Sequence, residues 1–120
     1  MAVNRINKSN LESIIGGKVS EPHDVIIKFY GQNCHLCHAL REHFVEISNQ
    51  YDDVYFYAFN MSDGEGLEKR LGFDGVPSIC YIRTGGAKPT IRFMQEPDNP
   101  DGKTWYRPDD IRSFIENNKR

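Results

Sequence analysis

Val25-Ile26-Ile27-Lys28-Phe29-Tyr30 runs directly into Gly31-Gln32-Asn33 and then into Cys34-His35-Leu36-Cys37-His38. The opening run is almost continuously apolar and aromatic and β-branched at its start, which predicts a central strand buried on both faces. Gly31-Gln32-Asn33 breaks that strand. Beyond it Leu36, Leu40, Phe44, Val45 and Ile47 recur at roughly helical spacing as far as Ser48. Cys34 therefore falls where strand turns into helix. Unpaired backbone N–H groups and the helix dipole at such a terminus favour a thiolate, so Cys34 is expected to be the more acidic thiol. Cys37, one turn further in, is expected to be shielded and to resolve a mixed disulfide formed on Cys34. His35 lies between them, where an imidazolium would stabilise the Cys34 thiolate further; the alternative is an exposed loop residue without that effect. His38 and His43 are read as solvated residues of the following helix.

Working outward, Ser9 to Ile15 reads as a short helix ended by Gly16-Gly17. Val54 to Phe59 reads as a second buried strand. Ser62-Asp63-Gly64-Glu65 has capping-box spacing ahead of a short helix through Leu71. Val76 to Ile82 is predicted as a third strand, joined through Thr84-Gly85-Gly86-Ala87 to Pro89 to Met94 as a hairpin. Glu96 to Gly102 is expected to be a mobile surface loop, and Pro108-Asp109-Asp110 opens a last helix with Ile111, Phe114 and Ile115 inward. The alternation of helix and strand predicts an α/β domain of three layers, a central mixed β-sheet flanked by helices, spanning residues 1–120 as one unit.

Composition narrows the function. With 38% hydrophobic residues, seven Phe and six Tyr, a chain of 120 residues can build a real core. A formal charge of −2 leaves no basic excess for a phosphate backbone or an anionic membrane, so neither nucleic acid nor membrane is an expected partner. Met1 to Lys8 has no apolar segment of signal type, and no apolar run is long enough to cross a bilayer. A cytoplasmic location is the expectation, in which three cysteines do not make a structural disulfide framework. Any disulfide should be transient and chemical.

Several parts in the right order make the chain similar to the thioredoxin superfamily. Lys28 to Cys37 resembles that family's active-site strand and turn, and Gly72-Phe73-Asp74-Gly75-Val76-Pro77-Ser78 resembles the segment carrying its cis-proline. Tyr106 to Ile115 resembles its closing strand edge and helix. The resemblance implies a thioredoxin-like fold and thiol–disulfide exchange that reduces protein disulfides through Cys34 and Cys37, with no cofactor and no metal. It implies that Pro77 is cis and faces the cysteines, that the Val76 backbone pairs with an extended substrate, and that Asn33 and Leu36 border the substrate face. Disulfide-containing proteins are the implied substrates, a reductase or glutathione the electron donor, and a monomer the expected state. The chain departs from the family pattern with Asn33 where Trp is usual, His35-Leu36 where Gly-Pro is usual, and Lys28 where a buried Asp is common. Lys28 is expected either to exchange a proton or stabilise the Cys37 thiolate, or to run along the sheet and put its amine in water or against an acidic group. Cys80, on an interior strand, is assigned no redox role.

Three other readings fit parts of the pattern. Cys34-His35-Leu36-Cys37-His38 spells the attachment signature of c-type haem, but that leaves the preceding strand and Val76-Pro77 unexplained. Zinc held by Cys34, Cys37 and two of His35, His38 and His43 lacks a second distant ligand pair. A binding module that grips a partner around Asn33, Leu36 and Val76, its cysteines incidental, is the rival from another class.

Overall fold

The computed structural model describes residues 3–120. In chain order the elements are β1 (Asn4–Arg5), α1 (Lys8–Ile15), β2 (Asp24–Tyr30), α2 (His35–Ser48) and β3 (Val54–Asn60), then a 3-10 turn (Met61–Asp63), α3 (Leu67–Leu71), β4 (Ser78–Arg83), β5 (Thr90–Phe93) and α4 (Pro108–Asn118). The sheet order is β1-β3-β2-β4-β5, with β1 and β2 parallel to β3 and β4 antiparallel to β2 and β5. This is the expected mixed sheet, and the helices lie on both of its faces.

The central strand shows why. Successive side chains of a strand point to opposite faces. Val25, Ile27 and Phe29 join Leu11 and Ile14 of α1, Leu67 of α3 and Phe59, Cys80 and Ile82 in one cluster. Ile26 joins Leu40, Phe44 and Ile47 of α2 and Ile111 and Ile115 of α4 in the other. Each such aliphatic or aromatic side chain contributes on the order of 1.5–3 kcal/mol when fully buried. Cys80 is among them, and burial pushes its thiol pKa well up, so it stays a neutral apolar residue.

The same alternation turns Asp24 and Lys28 onto the α2/α4 face, where both are buried. Asp24 is compensated in place. It accepts the Tyr81 hydroxyl at 2.6 Å and the Arg120 backbone N–H at 3.0 Å, and the Arg120 guanidinium lies 3.4 Å away.

Several local expectations need correction. β4 begins at Ser78, because Pro77 has no N–H to donate to the ladder. Ser62 caps no helix: the Asn60 side chain accepts the Ser62 N–H at 3.0 Å and caps the 3-10 turn, and α3 starts at Leu67 with Gly66 as an N-cap that offers no side chain. The strand β1 was not foreseen. Contacts not foreseen hold the segment around the 96–102 loop: Asp101 and Trp105 exchange backbone hydrogen bonds of 3.0 and 2.9 Å, and Trp105 Nε1 donates to Glu96 at 3.0 Å. Arg107 Nε adds a bond to the Asn99 carbonyl at 3.1 Å.

Removing the hydroxyl that serves Asp24 tests the compensation. Tyr81→Phe is expected to lower the unfolding free energy by about 1–2 kcal/mol in urea titrations with an unchanged m-value. An unchanged midpoint would mean that Arg120 suffices alone.

Candidate active site

Tyr30 ends β2, and the chain turns through Gly31, Gln32 and Asn33 before Cys34 enters α2 as its N-cap. Cys34 and Cys37 are joined as a disulfide with their Cα atoms 5.2 Å apart. The Cys37 N–H points at Cys34 Sγ, 3.1 Å away, so a first-turn amide serves the very sulfur that would carry charge after reduction. The two cysteines differ in access as expected: Cys34 is partly exposed and Cys37 only 2% exposed.

A second segment completes the site. The Val76–Pro77 peptide bond is cis, Pro77 is buried, and the Val76 carbonyl oxygen lies 3.9 Å from Cys34 Sγ. The β2–β4 register pairs Phe29 with Ser78 and so carries Val76 alongside the Gly31 turn. A Cβ at Gly31 would lie 3.3 Å from Val76 Cγ2 and 3.7 Å from Cys34 Cβ, so glycine there permits the close approach. On the α1/α3 side Phe29 packs against a tilted Phe73 ring at a centroid distance of 4.8 Å and stacks with Phe93 at 5.9 Å.

Asn33 is exposed and Leu36 half-buried beside the pair. His35 is exposed on the first turn of α2, and its side chain makes no hydrogen bond or ion pair among the described residues. His38 departs from its reading as a merely solvated residue. Its Nε2 lies 2.8 Å from the Gln32 carbonyl, which can only accept, so Nε2–H donates and ties α2 to the turn before Cys34. Among the described residues no three His, Cys, Asp or Glu side chains come together as a metal-binding group.

Lys28 lies under α2. It is 4% exposed, with Nζ 5.4 Å from the Phe44 ring centroid and 6.0 Å from that of Tyr30. No carboxylate pairs with it among the described residues; instead it borders a cavity of about 530 Å³ shared with Cys37, His38 and Arg41. Burial, and after it the Arg41 guanidinium, lowers its pKa from 10.5 to about 8. Gly31, His38 and Arg41 were not singled out from sequence as site residues. For the last two the signal was the helical spacing that puts them on the Cys34 side of α2.

A thioredoxin family model matches residues 2–117. The chain belongs to the thioredoxin family. It is 30% identical over 84 residues to chloroplastic thioredoxin F of Oryza sativa subsp. japonica, an alignment covering 69% of this chain and 44% of that protein. The aligned part is thus less than half of that relative's length. Among solved structures, the short form of spinach chloroplast thioredoxin f superposes with a TM-score of 0.71 at 20% identity, covering 97% of this chain and 92% of the other. Oxidised thioredoxin O2 from Arabidopsis thaliana gives 0.68 at 17% identity, with 98% and 94% covered. These two likenesses concern the fold.

The depressed Lys28 pKa makes a signed prediction. Between about 8 and 10.5 the folded chain binds fewer protons at this position than the unfolded chain, so stability rises with pH across that window. Below it the penalty for holding the ammonium is fully felt. Lys28→Met is therefore expected to stabilise the protein at neutral pH, by on the order of 1–3 kcal/mol, and to flatten the alkaline rise in urea midpoints. A destabilised variant with the rise intact would contradict this.

Proposed function

We propose that the chain reduces protein disulfides by dithiol–disulfide exchange, with Cys34 as the attacking thiol and Cys37 as the resolving one. The observation that carries this reading is the Cys34 sulfur at the N-terminus of α2, partly open to solvent, 3.1 Å from the Cys37 N–H and 3.9 Å from the Val76 carbonyl oxygen. In the reduced protein the Cys34 thiolate attacks one sulfur of a substrate disulfide, forming a mixed disulfide and expelling the other substrate sulfur as a thiolate. Cys37, deprotonated, then attacks Cys34 Sγ, releases the second substrate sulfur and closes the Cys34–Cys37 bond. Two electrons pass from the dithiol to the substrate. A reductase or glutathione returns them, in a reducing compartment such as the cytoplasm.

The remaining residues take supporting roles in this reading. Val76 offers backbone polar groups to an extended substrate segment, held by Pro77, while Asn33 and Leu36 border the same face. The Cys37 proton has an acceptor within the cavity that Cys37 shares with Lys28. With a pKa of about 8, Lys28 is a neutral amine in roughly one molecule in ten at pH 7, and the fraction rises with pH. His35, exposed beside Cys34, tunes the sulfur by charge when protonated. The protein works as a monomer without cofactor or metal.

Equilibration against glutathione at graded ratios, read by the mass of the alkylated Cys34/Cys37 pair, tests the reaction. One two-electron transition is expected, absent in Cys34→Ser, and Cys37→Ser should accumulate a mixed disulfide with insulin chains. A pair that does not titrate, with insulin left unreduced, would favour a protein-binding module of the same fold.

A further inference from the structure

The cavity behind the cysteine pair has an unusual charge balance. Its basic walls are Arg5 from β1, Lys28 from β2, and His38 and Arg41 from α2, and among the described residues no Asp or Glu lines it. Arg5 has a partner, Asp63, but at 3.9 Å and outside the lining. Lys28 has no carboxylate or hydrogen-bond partner among the described residues, only the faces of the Phe44 and Tyr30 rings, although it is 96% withdrawn from solvent. No buried side-chain nitrogen or oxygen among the described residues lacks a hydrogen-bond partner. The unpartnered Lys28 Nζ must therefore open onto the cavity it lines. Gln32, Tyr30 and Asn60 add uncharged polar groups to the same walls.

A buried cation without a counter-ion is costly, and a second cation nearby raises the cost. A cavity of about 530 Å³ offers room for what would relieve it. We propose that this cavity is a binding site for a small oxyanion, a carboxylate or a phosphate group, held by Lys28 and Arg41 beside the inner wall formed by Cys37. Lys28 supplies the desolvated charge. Arg41, exposed, presents a planar fork of donors suited to either kind of oxygen pair, and Arg5 of β1 adds charge to the same lining. The site is distinct from the Val76 face that would take a protein disulfide, and its occupation does not require the cysteines to turn over.

Two consequences follow by linkage. An anion that prefers the ammonium form of Lys28 raises that amine's pKa from about 8, and it binds more weakly as pH climbs through that value. The groups facing Lys28 in this response are Arg5 on β1, Tyr30 on its own strand, His38, Arg41 and Cys37 on α2, and Asn60 at the end of β3.

The test is a resonance titration of the oxidised, isotope-labelled protein at neutral pH with inorganic phosphate and separately with citrate, against sodium chloride at matched ionic strength. Saturable shifts are expected at the Lys28, Arg41 and Ala58 amides and at the Lys28 side chain, with none of them in chloride. Lys28→Met, which the fold should tolerate, is expected to weaken binding roughly tenfold or more, and Arg41→Gln several-fold. Saturation by phosphate alone would assign the site to phosphate groups, by citrate alone to carboxylates, and by both to oxyanions generally. Shifts that only track ionic strength, or saturation untouched in a folded Lys28→Met protein, would overturn the proposal. Because binding is read directly, that failure is separate from failure of the exchange reaction.

Discussion

β2 has to be covered on both faces, and the rest of the architecture answers that requirement. A strand flanked by β3 and β4 and buried along its length cannot be a sheet edge or a surface strand. Its odd-numbered residues demand α1 and α3, its even-numbered ones α2 and α4, and the two clusters follow that parity. Where β2 runs out of the sheet at Tyr30, the covering helix α2 must begin within a few residues to reach back over Ile26. The short turn that results leaves Cys34 at the helix N-terminus. Placement of the sulfur is thus a consequence of how the core is covered.

The second half of the site depends on register. Antiparallel pairing of Phe29 with Ser78 holds the segment before β4 against the segment after β2. Neither half could be shifted alone, since a slip of one residue would turn every buried side chain of β4 to the wrong face. Gly31 is where this closeness is felt. Any side chain there would have to share space with Val76 and Cys34, which links a loop residue to the geometry of the pair.

Much of this was legible in the sequence, and for identifiable reasons. β2, α2 and α4 announce themselves because many residues repeat one pattern: a continuous apolar run, helical spacing after Cys34, and a proline and two aspartates opening the final helix. β1 was not legible, being two exposed residues whose strand state comes only from pairing with Tyr57 and Ala58. Ser62 misled because local spacing mimics a cap, whereas the glycines on either side of Glu65 favour a turn and Asn60 already serves it. Trp105, at a φ of 66° that non-glycine residues rarely adopt, anchors a loop whose bracing no local pattern signals. The cavity was illegible for a related reason. Its walls come from β1, β2, α2 and β3, and only folding brings Arg5, Lys28 and Arg41 to one space.

The two charges on the even-numbered face of β2 received opposite solutions. Asp24, at the start of the strand, is matched by Tyr81 and Arg120 and becomes part of the core's internal wiring. Lys28, at the cysteine end, meets aromatic rings but no carboxylate among the described residues, and its register partner on β3 is the small, uncharged Ala58. A carboxylate at Ala58 would have closed the space with an ion pair. Its absence leaves both an open cavity and an amine whose charge responds to its surroundings. A core built for stability alone would have no reason to keep an unpaired ammonium beneath α2, since an apolar residue of similar size would avoid the desolvation cost. What the fold retains instead is a charged side chain on the same cavity wall as Cys37.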